Sequence, residues 1–478
     1  MPATAYPALE RYAPLIADWD SFLAAVGAPR PTCAVTNTRR VDAETLAGLL
    51  HADGRPAKHV GWTHGALRVP PGERPGVWWP AQAGLYQIQE EASLVPTHLL
   101  DAQPGERVLD LCAAPGGKAA RLALALGGTG TVVANDKDSR RLAAVRDKMK
   151  RLGLINLTST VHDGGDFPWQ AGAFDRVLVD APCSAEGTNA RSGAGYKGSE
   201  KTFRHWVVGQ QRALLKRAVM LTRPGGRIVY STCSFAPEEN EQVVEHALDA
   251  LAGEVYPVRP DVGALAADPG VDTWQGHTVR AEVVENAVRL WPHRSGTGGF
   301  FAIALERPAN APVHTPEPEP ARALGEPVDR DAILGALETR FALTPERFDG
   351  VRFHAAGDHI HAVGTDHQPP SHPRPAASGV PVTRRGARWA KPTTAAALMA
   401  GDAATRNRVD LDRAQVDAYH ARRPLQPRPD QLTTCDGRGH VLLHHAGRCL
   451  GTGFLRPASG DGPAEIDSHF PRAWVPHG

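Results

Sequence analysis

Four short apolar runs, each ending at a turn and followed by a helix-like stretch, constrain this chain more than any other feature. They are Val108-Leu109-Asp110-Leu111, Thr131-Val132-Val133-Ala134, Arg176-Val177-Leu178-Val179 and Arg227-Ile228-Val229-Tyr230. Strands that alternate with helices are the signature of βαβ units in a mainly parallel sheet. The helix after the second run is the clearest, because Leu142, Val145, Met149 and Leu152 recur at helical spacing with charges between them. The pattern predicts an α/β domain over residues 101–307, with helices on both faces of the sheet.

The 478 residues exceed one ordinary core, and other segments fall outside the pattern. Residues 1–100 mix helical and extended stretches and form an N-terminal α+β subdomain. Residues 308–328 alternate Pro with Glu, which favours extended geometry and predicts an interdomain linker. A small unit follows over 329–367, with helical periodicity at Ile333, Leu334, Leu337 and Phe341. A second proline-rich stretch, 368–377, is expected to separate it from a tail over 378–478. In that tail Gly439-His440-Val441-Leu442-Leu443 and Gly447-Arg448-Cys449-Leu450-Gly451 read as short strands joined by tight turns.

Composition narrows the function classes. An apolar fraction of 42% supports burial, and 53 basic against 52 acidic residues leave a net charge of +1. Any nucleic acid must therefore be met by local patches. Six scattered cysteines without CxxC or Cys/His pairing argue against a disulfide framework and against a zinc site. No signal peptide and no spanning segment is evident, so a cytoplasmic protein with no membrane partner and no metal is expected.

The first strand ends in Cys112-Ala113-Ala114-Pro115-Gly116-Gly117-Lys118, a small-residue turn opening a helix. Such a turn lets backbone approach a ligand and aims amides at it. The second strand ends in Asp136, placed to accept hydrogen bonds from ribose hydroxyls. Asp163 follows a third strand over 158–162, and Asp180 ends the fourth. Each acid alone is as well explained by a helix cap or turn. Together with the turn they favour a nucleoside cofactor, and the CAAPGGK sequence disfavours a dinucleotide, which calls for G-x-G-x-x-G.

Two cysteines sit at strand ends, Cys183 in Asp180-Ala181-Pro182-Cys183-Ser184 and Cys233 in Ser231-Thr232-Cys233-Ser234. Most free cysteines are small buried hydrophobes. Cys233 fits that description poorly, because its neighbours are polar and Pro237-Glu238-Glu239-Asn240 opens a helix just beyond. A thiol at such a place suits covalent catalysis.

Here a family resemblance enters. VLDLCAAPGGKAARL, ANDKDSRRL, VLVDAPCSAEGT and YSTCSFAPEENEQVV resemble, in order, the motifs of the NOP/Sun family of RNA cytosine-C5 methyltransferases. Upstream, 84–93 resembles the segment before that family's catalytic domain, and Arg289-Leu290-Trp291-Pro292-His293 with Thr297-Gly298-Gly299-Phe300-Phe301 resembles its last core motif. The likeness covers 25–307. It implies a Rossmann-like core using S-adenosylmethionine, with a thiolate adding to carbon 6 of cytosine so that carbon 5 accepts a methyl group. By position, Cys233 is the implied nucleophile, Cys183 assists product release and Asp180 stabilises the adduct at ring nitrogen 3. Cys112, Ala113, Ala114, Pro115, Gly116, Gly117, Lys118, Asp136, Arg141, Asp163 and Asp180 are the implied cofactor contacts.

The tail resembles the PUA-like region of the bacterial RsmF-like branch, through Gly447-Arg448-Cys449-Leu450-Gly451-Thr452-Gly453 and Ser468-His469-Phe470-Pro471-Arg472. This implies RNA, and small-subunit ribosomal RNA first, as the partner of a monomer, with DNA excluded. Basic and aromatic residues interleave at Arg191, Tyr196, Lys197, Lys201, Phe203, Arg204 and Trp206, and again at Arg384, Arg385, Arg388, Trp389 and Lys391. Either run suits contact with phosphates and splayed bases, and either is equally a solvated loop. Two alternatives stay open: the same chemistry on transfer RNA, or an idle RNA-binding assembly factor that keeps the fold.

Overall fold

Alternation along each strand decides which face its side chains join. In the computed structural model, which describes residues 6–189, 201–317, 324–386, 391–459 and 462–475, the apolar runs become β1 (Arg107–Asp110), β2 (Thr131–Asp136), β4 (Phe174–Asp180) and β5 (Thr222–Thr232). Between β2 and β4 runs β3 (Leu157–Val161), and β6 (Phe300–Glu306) closes the domain. Val108, Val132, Leu178 and Val229 point to one face, where they meet Leu122 of α1 (Gly117–Ala125) and Val145 and Met149 of α2 (Leu142–Leu152). Leu109, Val133, Val177 and Ile228 point to the other, against Leu215 of α3 (Lys201–Leu221) and Val243 of α4 (Glu241–Ala250). Each such fully buried aliphatic side chain stabilises the fold by roughly 2 kcal/mol.

Among the described residues the sheet has nine strands, with β6-β5-β4-β1-β2-β3 as its spine. The five strands β1 to β5 pair in parallel, and β6 is antiparallel to β5. The carboxyl ends of β1, β2, β4 and β5 therefore share one edge. Ligands of open α/β sheets bind at that edge.

The proline-rich segments depart from expectation. Residues 368–377, expected to separate two units, instead contribute β7 (Pro375–Ser378), which pairs antiparallel with β3 and extends the core sheet. Proline is tolerated there because β7 is an outer strand with an irregular register between Pro375 and Ala377. The adjoining chain is tied to the core as well: Gly364 N donates to Ile155 O at 3.1 Å, Gly379 N to Leu157 O at 3.1 Å, and His367 lies 2.7 Å from Thr158 Oγ1. The end of the expected 308–328 linker, Glu326–Pro327, is also a strand, paired with Val351–Ala356. That pairing belongs to a four-stranded antiparallel sheet that runs on through His359–Gly364 to Val380–Arg384, across the expected boundary at 378.

Two more sheets flank the core. Thr32–Thr36, Ala66–Val69 and Tyr86–Glu90 pair antiparallel in the N-terminal part. Arg408–Asp410, Gly439–His445, Arg448–Arg456 and Glu465–Ser468 form a sheet in the tail. Their cores merge, for Leu46, Trp79 and Tyr86 pack with Val409, Leu443 and Phe470. No helix among the described residues is long and apolar enough to cross a membrane, and no cluster of metal-ligating side chains occurs among them.

Candidate active site

A cavity of about 210 Å³ opens at the shared strand edge. Of the residues singled out in the sequence, Cys112, Ala114, Asp136, Arg141, Asp163, Asp180 and Cys183 line it. Ala113, Pro115, Gly116, Gly117, Lys118 and Cys233 do not. Gly116 has a different reason to be glycine: it sits at φ +94°, and a Cβ there would come within 3.0 Å of the Val145 backbone in α2. The left-handed backbone and the close packing against α2 both demand that residue.

The acids differ in their surroundings. Asp136 is buried; it accepts from Ala114 N at 3.3 Å and Asp138 N at 2.9 Å and pairs with Arg141 at 3.1 Å. Arg141 also donates to Ala114 O at 2.9 Å, so it braces the turn. Asp163 caps a short 3₁₀ turn through Gly165 N at 2.9 Å. Asp180 receives Lys118 Nζ at 2.7 Å and Ser231 Oγ at 2.8 Å. Burial works against the Lys118 ammonium, yet the Asp180 carboxylate holds its pKa above the usual lysine value.

Cys183 and Cys233 come together, their Sγ atoms 3.3 Å apart. The loops that carry them are fastened by Ala181 N to Ser231 O at 2.9 Å and Gly187 N to Cys233 O at 2.8 Å. Gly187 allows that approach, since a Cβ there would lie 2.3 Å from Gly299 O. The Cys233 thiol is held below the ordinary cysteine value, first by the hydrogen bond from Cys183; burial and Asp180 oppose this, and Thr188 and Lys118 assist. The same bond and burial push Cys183 well up. Burial, with Asp110 next, keeps Cys112 a neutral thiol. Of the three, Cys233 is the one disposed to ionise.

Several residues of this site escape sequence inspection. Asp110 lies fully buried behind the turn, its carboxyl pushed up to about 8 by burial and by Asp180. Beneath the cysteines, Ser184 Oγ and Ser234 Oγ meet at 2.9 Å, and Glu239 accepts from Ser184 N at 2.9 Å, Ser234 Oγ at 2.9 Å and Gln211 Nε2 at 3.0 Å. Glu186, pushed up to about 7 by burial, accepts from Tyr12 OH at 2.7 Å and Arg204 Nη2 at 3.0 Å. The one available signal was the repeated Cys-Ser dipeptide, which places a hydroxyl after each thiol. Arg204 is turned inward to Glu186 and is not offered to a phosphate. Trp206 remains 54% exposed, with Lys137 Nζ 5.7 Å from its ring centre. Arg191, Tyr196, Lys197, Arg388 and Trp389, and the side chain of Lys201, lie outside the described residues.

Known proteins resemble this chain over the domain that carries the site. The family described as 16S rRNA methyltransferase RsmB/F matches residues 97–306. The tRNA (cytosine(49)-C(5))-methyltransferase of Pyrococcus abyssi is 32% identical over 232 residues, covering 47% of this chain and 71% of that protein. The chain belongs to the RsmB/F family of RNA cytosine-C5 methyltransferases. Among the relatives of this family, ribosomal RNA small subunit methyltransferase F of Erwinia tasmaniensis is 34% identical over 248 residues, which are 51% of this chain and 49% of that protein. The mouse 28S rRNA (cytosine-C(5))-methyltransferase is 33% identical over 61% of this chain, but this chain spans 37% of its length. The chain thus spans between about a third and a half of the first relatives it matches. Among solved structures, a methyltransferase homolog from Pyrococcus horikoshii superposes with a TM-score of 0.56 and 29% identity over 64% of this chain and all of that one.

The RsmB/F family core is the S-adenosylmethionine-dependent methyltransferase fold, and the crevice fits that cofactor. Asp136, Asp163 and Asp180 line it, and neither oxygen of the buried Asp110 has a hydrogen-bond partner of ordinary geometry. A wall of carboxylates suits ribose hydroxyls and a cationic sulfonium.

Proposed function

We propose that this chain methylates carbon 5 of cytosine in RNA, with small-subunit ribosomal RNA as its target and Cys233 as the nucleophile. The observation that carries this reading is the pair of thiols 3.3 Å apart beside the acid-lined crevice, with the Cys233 thiol held low. In this reading Cys233 adds as a thiolate to carbon 6, which breaks aromaticity and makes carbon 5 nucleophilic. S-adenosylmethionine supplies the methyl group when bound, held by Asp136, Asp163 and the turn from Cys112 to Lys118. The proton held between Asp180 and the Lys118 ammonium passes to ring nitrogen 3 as the thiolate adds, which leaves the adduct uncharged. A base then takes the proton from carbon 5, and the electron pair left behind expels Cys233 from carbon 6 as a thiolate, with help from Cys183. The choice of ribosomal RNA rests on the family description and on the small-subunit enzymes among the relatives. The Pyrococcus abyssi relative supports a second reading, the same chemistry on transfer RNA.

Transfer of a labelled methyl group from S-adenosylmethionine to RNA, with none to DNA, is the expected result; no transfer to RNA from a strain lacking the protein overturns the reading. Cys183→Ala should accumulate a covalent protein–RNA adduct that survives denaturing gels, and normal release would remove Cys183 from the scheme. Bisulfite mapping of ribosomal and transfer RNAs from the knockout decides between the two targets.

A further inference from the structure

A second cavity, of about 520 Å³, lies where the sheet of residues 326–384 meets β7. Its volume is that of a small-ligand pocket. His354, His361, His372 and Arg374 line it, and no carboxylate does among the described residues. His354 and His361 are cross-strand partners with ring centres 5.6 Å apart and planes 21° from parallel. His354 is 8% exposed, and the Nδ1 atoms of both rings are buried without a hydrogen-bond partner. Unsatisfied polar atoms in a cavity wall cost free energy that a hydrogen-bonding ligand restores.

The chemistry of the wall selects the ligand. Burial lowers both imidazoles, His361 to about 4, so each is neutral near pH 7 and offers one N–H and one lone pair. Neutral rings bind no anion by charge, but they do hydrogen-bond and stack with a heterocycle. The charge comes from Arg374, exposed at the rim and paired with no carboxylate among the described residues. A single anionic group next to a flat ring with hydrogen-bonding edges describes a nucleotide. The cavity belongs to the same sheet as the crevice, since β7 pairs with β3 and β3 with β2, the strand ending in Asp136. The thiols follow β4 and β5, four and five strands from β7, which is roughly 20–25 Å and within reach of a nucleotide a few positions from the target on one strand.

We propose that this cavity binds one nucleotide of the RNA strand flanking the target cytosine, with Arg374 meeting its phosphate and His354 and His361 reading its base. This rests on the reading that the chain acts on RNA. The test is fluorescence anisotropy of the full chain with a short labelled single-stranded oligoribonucleotide, over a range of salt concentrations. Binding of S-adenosylmethionine serves as the control for folding. Arg374→Ala should raise Kd by about 5-fold and reduce the salt slope by about one. His361→Ala should raise Kd by a similar factor, about 5-fold, with the slope unchanged, because a neutral group is lost. Arg374 is exposed, so its variant decides the matter even where His361→Ala fails to fold. Wild-type Kd and slope in Arg374→Ala overturn the proposal, as does a wild-type chain that binds no RNA. Cytidine monophosphate is the competing probe: displacement of the oligonucleotide at equal concentration would make this a site for a free nucleotide and also overturn it. Loss of binding in Arg374→Ala, with no methyl transfer by the wild-type chain, would sink the proposed reaction and leave this site standing. Transfer with unaltered binding would sink the site alone.

Discussion

The crevice and the junction between the N-terminal and C-terminal sheets both bury charge, and they treat it in opposite ways. At the junction Arg40, its side chain 4% exposed, donates to Ala83 O and to Cys449 O and pairs with Asp402. Asp402 in turn accepts Cys449 N at 2.7 Å, and Arg448 donates to Arg40 O at 2.7 Å. That network is closed, and its charges have partners. Behind the crevice wall the Asp110 carboxyl is buried without such partners and held protonated to about pH 8. Closed networks fix a structure, whereas open ones hold groups in states that water would not allow, at a cost in stability. The contrast separates what this protein needs in order to fold from what it needs in order to react.

Four changes sharpen or break that contrast. Cys233→Ala should lower methyl transfer by about 10³-fold or more, with melting temperature and cofactor affinity unchanged; retained turnover, measured with labelled cofactor, would dissolve the functional side of the comparison. Arg40→Ala should do the reverse, destabilising by about 3 kcal/mol in urea unfolding with kcat unchanged, because Asp402 loses its buried partner. Asp110→Asn should stabilise, and the gain should depend on pH. The folded pKa of about 8 lies above the unfolded value of about 3.9, so the folded state holds the extra proton and loses stability as pH rises. The gap between variant and wild type should be absent below about pH 4 and widen to as much as about 5 kcal/mol near pH 8; a gap independent of pH would mean that Asp110 is already satisfied. Asp412→Ala, which removes the capping box of the helix Arg413–His420, should cost about 1 kcal/mol and leave activity unaffected.

Local patterns were legible and distant pairings were not. The four apolar runs and the spacing of Leu142, Val145, Met149 and Leu152 identified the central strands and α2, because burial on one or two faces leaves a period in the chain. Cys183 and Cys233 could be placed at strand ends for the same reason. Their proximity depends on β4 and β5 being neighbours, which no local window contains. Asp110 lay hidden within an apolar run, since its position in the strand gives no sign of the carboxylates of Asp136 and Asp180 around it. The proline-rich 368–377 misled most, because proline signals extended backbone without telling a linker from an outer strand.

That outer strand has a consequence for how the molecule is made. The free side of β3 exposes backbone donors and acceptors until Pro375–Ser378 arrives, roughly 200 residues later in synthesis. At ribosomal rates this is a wait on the order of 10 s or more, during which the nascent chain carries an adhesive flank. A truncation at residue 307 never escapes that interval, so the isolated catalytic segment should associate with itself unless another chain shields the flank.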